Sequence, residues 1–193
     1  MIKIVTLLGS VRPGNYTAKA LALVHDELQQ DSDVELIAFD PAKLKLSMPG
    51  INTPDSDSKR LTEAVKNATG VILATPEYHG TFSSVMKLFI ENIGFPSALN
   101  TKPVALLGVA AGQIGAIKSL EHLRGVCSHV GAIVLPGPVS VANVQSVFDA
   151  QGNCLDEKIE KRIRRVATNL LDHIRQNICP RIALEQMVRE DNV

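Results

Sequence analysis

Three cysteines in 193 residues, Cys127, Cys154 and Cys179, are too few and too widely separated for a disulfide framework, and no C-x-x-C spacing suggests a zinc site. A reducing compartment is the simplest setting for such a chain. Charge of either sign is not in excess: Lys plus Arg equals Asp plus Glu, and the formal net charge is zero. No global field therefore draws the protein to nucleic acid or to an anionic membrane. No basic segment followed by an apolar run and a small-residue cleavage site opens the sequence, and no stretch approaches the ~20 apolar residues of a membrane span. The expected location is cytoplasmic. Internal repeats, low-complexity tracts and the charge-rich, apolar-poor composition of disordered chains are also missing. Absent motifs narrow the chemistry further. There is no G-x-G-x-x-G dinucleotide fingerprint, no Gly-Lys-Ser/Thr phosphate loop and no G-x-S-x-G elbow around Ser10.

What the chain does contain is an alternation of short apolar runs and helical periods. Ile2 to Leu8 is a β-branched run ending at Gly9, and Ala18 to Gln30 follows with Leu21, Val24 and Leu28 at helical spacing. Val34 to Phe39 reads as a strand, Leu61, Ala64, Val65 and Ala68 as one helical face, and Gly70 to Thr75 as a strand buried on both sides. A helix from about Thr81 to Asn92 is predicted next, then a strand at Val104 to Val109. A helix with Ala116, Leu120, Leu123 and Cys127 on one face, a strand near Ala132 to Leu135 and a last helix through Ile159, Ile163, Val166, Leu170 and Ile174 complete the order. Such alternation implies a parallel sheet with right-handed crossovers and helices on both faces. Asp40 to Ser58 is a long irregular connection without an assigned role, and residues 178–193 show no clear period.

In an open parallel sheet, ligands bind beyond the carboxyl ends of the strands. Three loops lie there. The first, Gly9-Ser10-Val11-Arg12-Pro13-Gly14-Asn15-Tyr16-Thr17, leads straight into a helix, whose N-terminal N–H groups suit a phosphate. Ser10, Asn15 and Thr17 add donors, and Arg12 adds charge; the same residues also fit an ordinary capped helix with a surface arginine. The second, Thr75-Pro76-Glu77-Tyr78-His79-Gly80-Thr81, can wall a flat heterocycle, with Tyr78 stacking on it and the peptide N–H groups of Tyr78 to Gly80 meeting its polar edge. It reads equally as a Pro-Gly turn before a helix capped by Thr81. The third, Ala110-Ala111-Gly112-Gln113-Ile114-Gly115, lets backbone approach a ligand and offers helix-start donors to negative charge developing on it, or is a glycine turn needed only for packing. His25, His122, His129 and His173 read as structural, since His122 and His129 do not share an i, i+4 face. The basic cluster Lys161, Arg162, Arg164, Arg165 reads as a solvated helix face flanked by Glu157 and Glu160.

Taken together, the three loops resemble the NADPH-dependent FMN reductase family, a branch of the flavodoxin-like oxidoreductases that includes quinone, azo-dye and chromate reducers. The resemblance covers roughly Ile2 to Val141. It is carried by Gly9, Ser10 and Arg12 with Asn15 and Thr17, by Pro76-Glu77-Tyr78-His79 followed by Lys87, with His79 where the family has asparagine, and by Gly112 and Gly115. The resemblance implies a flavodoxin-like three-layer α/β/α sandwich on a five-stranded parallel sheet of order 2-1-3-4-5, with residues 1–177 as the reductase domain and 178–193 as a C-terminal tail. It implies an FMN site made of Gly9, Ser10, Arg12, Asn15, Tyr16, Thr17, Pro76, Glu77, Tyr78, His79, Gly80, Ala111, Gly112, Gln113 and Gly115. Hydride from NADPH or NADH passes to the flavin and on to a small-molecule electron acceptor, with no catalytic side chain and no metal. A homodimer or homotetramer is expected. Two alternatives stay open: a flavodoxin-type electron carrier that does not oxidise NAD(P)H, and a hydrolase using Ser10.

Overall fold

The apolar runs become strands because each is covered on both sides. In a computed structural model, which describes residues 1–190, β1 (Ile2–Leu8), β3 (Gly70–Tyr78) and β5 (Pro103–Val109) are buried along nearly their whole lengths. Continuous apolar sequence, rather than strict alternation, is what such interior parallel strands require. With β2 (Val34–Phe39) at one edge, the order is β2-β1-β3-β5, every pair parallel. The fifth position is shared by two short strands, β6 (Ile133–Val134) beside Pro103–Val104 and β7 (Val139–Val141) beside Leu107–Val109. The expected 2-1-3-4-5 order is present, but its last strand is broken. Pro136 and Pro138 have no N–H to give a ladder and Gly137 between them sits at φ 73°, so the chain leaves the sheet and returns.

A seventh strand was not anticipated. β4 (Thr81–Phe82) folds back antiparallel on the end of β3, pairing Tyr78 with Thr81 and Glu77 with Phe82. The two turn residues, His79 at φ 51° and Gly80 at φ 74°, both take the left-handed conformation that a two-residue hairpin needs. Histidine and asparagine are among the few side chains that enter this region readily. The predicted helix start at Thr81 is accordingly corrected. Helix α3 runs Ser84–Asn92 and its cap is Ser83, whose Oγ accepts from the Met86 N–H at 3.1 Å.

Successive strand residues feed two separate cores. Ile4, Ile72 and Leu107 meet α1 (Tyr16–Gln29) and α6 (Glu157–His173) on one face. Val5, Leu7, Leu73 and Leu106 meet α2 (Ser58–Asn67), α3 and α4 (Ile117–His129) on the other. A short helix, α5 (Val144–Val147), follows β7. The α1–α6 contact is also laced by charge: Arg164 reaches Asp26 at 2.6 Å and Glu160 at 2.9 Å. That gives one member of the basic cluster a packing role, worth at most ~1 kcal/mol per pair at such partly solvated sites.

The 40–58 connection is fastened rather than loose. Asn92, buried at the end of α3, binds both backbone groups of Ser47 at 2.9 Å and accepts from the Ser58 hydroxyl at 2.5 Å. At the other terminus the chain stays helical. A π-helical stretch, Ile174–Ile178, joins α6 to α7 (Cys179–Glu190), with Leu184, Met187 and Val188 exposed. Thus the reading of 178–193 as aperiodic is replaced by helix up to Glu190, while 191–193 lie outside the described residues. Among the described residues no helix is long and apolar enough to cross a membrane.

Candidate active site

The connection after β1 goes to one face of the sheet and the connection after β3 to the other, so a crevice opens between their carboxyl ends. Gly9 closes its floor. Its N–H donates to the Ala74 carbonyl at 2.7 Å and its carbonyl accepts from the Ser83 hydroxyl at 2.6 Å. A Cβ at Gly9 would lie 2.8 Å from the Ala74 oxygen, so no other residue permits this approach of the first loop to β3. Ser10 is buried as well, its Oγ 3.5 Å from the Arg12 N–H.

Beyond them the first loop turns outward. Asn15 is the cap of α1: its Oδ1 accepts from Ala18 N–H at 2.8 Å and its Nδ2 donates to the Arg12 carbonyl at 2.7 Å. The amide side chain shapes the loop, and the N–H groups of Tyr16 and Thr17, first in the helix, have no intrahelical acceptor. In front of them Gly14, at φ 63°, leaves open space where a side chain would stand. Arg12 lies across the opening with its guanidinium carbon 4.5 Å from the centre of the Tyr78 ring. This is cation–π distance, and it ties the first loop to the second.

The second loop is the β3–β4 hairpin. Glu77 does not point at a free acid–base partner; its Oε2 accepts from the Ser119 N–H at 3.1 Å, in the first turn of α4. Ser119 Oγ donates to the Pro76 carbonyl at 3.4 Å, and His122 and Thr81 join through Nδ1 and Oγ1 at 3.0 Å. Helix α4 is thus capped from outside, since Ala116 at its start has no capping side chain. In the third loop, Ser140 of β7 accepts from the Ala116 N–H at 2.8 Å. A Cβ at Gly115, which stands at φ 77°, would come within 2.4 Å of that same Oγ.

These loops, distant in sequence, share one cavity of about 360 Å³. Of the residues expected in the site, Arg12, Asn15, Tyr16, Thr17, Pro76, Glu77, Tyr78 and Ala111 line it. Gly9, Ser10, His79, Gly80, Gly112, Gln113 and Gly115 do not line it. The sequence reading did not single out Val144 and Gln145, which lie at the start of α5 and close the third side. Nothing in a four-residue helix after a broken strand signals that position. Three larger cavities, about 710 Å³ between α2 and α3, 580 Å³ at the ends of α3 and α4 and 420 Å³ beside β7 and α5, are lined by no residue of the three loops. Burial pushes the Cys127 thiol up to about 12, so it is not a nucleophile at neutral pH. Among the described residues no group of three or more His, Cys, Asp or Glu is placed to hold a metal ion.

Residues 2–146 match the NADPH-dependent FMN reductase family, three quarters of the chain and all three loops. The chain belongs to that family. An NAD(P)H-dependent FMN reductase of Pseudomonas aeruginosa is 29% identical over 168 residues, covering 85% of this chain and 90% of that protein. A 2-hydroxy-1,4-benzoquinone reductase of a Burkholderia species is 29% identical over 171 residues, covering 84% and 91%. In fold, the family member resembles the flavoenzyme NAD(P)H:(acceptor) oxidoreductase FerB of Paracoccus denitrificans, with TM-score 0.75 at 21% identity, over 91% of this chain and 98% of that one. The flavodoxin-like architecture and the assignment as an FMN-dependent oxidoreductase using NAD(P)H therefore stand.

Proposed function

We propose that FMN lies in the 360 Å³ cavity with its phosphate at the N-terminus of α1 and its ring beside Tyr78 and Ala111. The observation that carries this reading is the convergence of all three strand-end loops, in a member of this family, on a single cavity at the switch point of the sheet. Tyr16 and Thr17 offer their open backbone N–H groups to the phosphate, and Arg12 leaves Tyr78 to pair with it. Asn15 holds the loop that presents those donors. Gly9, Ser10, His79, Gly80, Gly112 and Gly115 keep the loops at the required separations. FMN, when bound, supplies the two-electron chemistry, taking hydride from NADPH or NADH and delivering it to a small-molecule acceptor. The protein's own side chains orient and shield, and none is needed as a nucleophile.

We further place the enzyme in the cytoplasm as a homo-oligomer that needs neither nucleic acid nor membrane. The absence of any disulfide among the described residues, the zero net charge and the exposed apolar residues of α7 support that reading. The test uses an unusual property of the chain. It has no tryptophan, and its two tyrosines, Tyr16 and Tyr78, both line the cavity. Titration of the apoprotein with FMN is expected to quench nearly all tyrosine emission at one equivalent per chain, and anaerobic NADPH is expected to bleach the bound flavin band. Bound flavin that neither nicotinamide reduces would favour an electron carrier, and saturating FMN without quenching would move the site elsewhere.

A further inference from the structure

The helix start in the third loop is capped by a carboxylate from another element. Glu77 reaches it from the neighbouring hairpin and bonds the Ser119 N–H, while also lining the cavity. Glu77 forms no ion pair among the described residues, so its charge is met chiefly by the helix terminus it caps. A carboxylate at a helix N-terminus cancels much of the partial positive charge there. On the cavity side, what remains is a net negative contribution at the junction of the second and third loops.

We infer that Glu77 is a positioning residue that lowers the reduction potential of the bound cofactor; the inference rests on FMN occupying this cavity. The couple is FMN + 2 e⁻ + H⁺ → FMNH⁻, so the reduced form carries one more negative charge than the oxidised form. A nearby carboxylate disfavours the form with the added charge, and half-buried surroundings screen it less than water would. Glu77 thereby makes the reduced enzyme a stronger donor to its acceptor, at the expense of the affinity for reduced cofactor. The same carboxylate joins the Ser119–Pro76 and His122–Thr81 contacts in keeping α4 registered on the hairpin, through its own bond to the Ser119 N–H.

Glu77→Gln separates charge from geometry, because the amide oxygen still accepts from Ser119 N–H. Apoprotein and FMN are combined for the wild type, Glu77→Gln, Glu77→Asp and Glu121→Gln, the last an exposed carboxylate of α4 outside the cavity lining. Dissociation constants for oxidised FMN and equilibrium potentials against a reference dye are measured for each. Glu77→Gln is expected to bind oxidised FMN within about threefold of wild type. Its preference for the reduced form should rise about tenfold, which is a positive shift of about 30 mV for a two-electron couple. Glu77→Asp, which keeps the charge, and Glu121→Gln should both stay within threefold in that preference. An unmoved potential in Glu77→Gln overturns the inference and leaves the FMN site standing. A tenfold rise in Glu77→Asp would assign the effect to geometry and overturn the charge argument, including where the Gln variant does not fold. Failure of the wild type to bind FMN overturns the site and the inference together.

Discussion

Two helices begin at the same pole of the sheet and are finished in opposite ways. Helix α1 is capped by its own Asn15, and the next two N–H groups are left facing the cavity behind a glycine with open space before it. Helix α4 has no cap of its own; Glu77 from β3 accepts from its Ser119 N–H, Ser140 from β7 accepts from the Ala116 N–H before it, and a side chain at Gly115 would meet Ser140. A local cap leaves the α1 start dependent on its own loop alone, whereas capping from neighbouring elements makes the α4 start a joint between loops. Under the proposed function the α1 terminus is where the phosphate sits. The α4 terminus is built to keep two loops at a fixed separation, and it meets a ligand only through what those loops present. Glycines divide within each loop instead: Gly14 and Gly112 face open space, while Gly9 and Gly115 exist for close contact.

The largest effect should come from filling the joint. Gly115→Ala puts a side chain at a positive φ and drives its Cβ into Ser140, so a loss of about 2–4 kcal/mol in urea unfolding is expected. Gly112→Ala, three residues away in open space, should cost less than about 1 kcal/mol. Equal losses at the two positions would erase the contrast between them. At the α1 terminus the damage should fall on binding instead. Removing a charge-assisted contact at an exposed site, Arg12→Ala is expected to weaken FMN binding about tenfold, with stability within about 0.5 kcal/mol of wild type. Unchanged affinity in a calorimetric titration would show that Arg12 rests on Tyr78 in both states. Asn15→Ala should cost about 1 kcal/mol as a lost cap, measured by urea unfolding of the apoprotein. A loss confined to FMN affinity, with stability untouched, would reverse the role assigned to that side chain.

Much of this contrast was hidden in the sequence. Strand and helix periods located β1, β3, β5 and the helices between them, because interior strands must be apolar throughout and covering helices must carry a stripe. The loops at their ends could be listed as neighbours in space from topology alone. Which donors the loops leave free could not. Glu77 stands beside Pro76 and Tyr78 in a segment that reads as ligand wall, and its partner Ser119 lies 42 positions away. The hairpin was missed because its strand is two residues long and a threonine at 81 mimics the cap that Ser83 supplies. At the other end, the π-helical turn at 174–178 shifts the helical phase, which made the continuation into α7 look aperiodic.

The smallest expected effect tests how α1 is seated behind its open end. His25 lies on the sheet side of α1, with Nε2 2.9 Å from the Thr6 hydroxyl of β1, and burial holds its pKa below the ordinary 6.5. The unfolded chain protonates this ring as pH falls through 6.5, while the folded chain resists doing so until the lowered value is reached. Between those two values the unfolded state binds more protons, so stability rises with pH and is lost on acidification. His25→Gln keeps a hydrogen-bonding partner for Thr6 and removes the titration. The variant's unfolding free energy should therefore fall less steeply than the wild type's between neutral pH and the window just below 6.5. Its loop, fixed by Asn15 more than two helical turns away, should bind FMN with unchanged affinity. Parallel pH profiles would show that His25 does not stay neutral in the folded protein. A flattened profile accompanied by weaker FMN binding would show instead that the open end of α1 depends on how the whole helix is seated, and that the two helix termini differ less than their caps suggest.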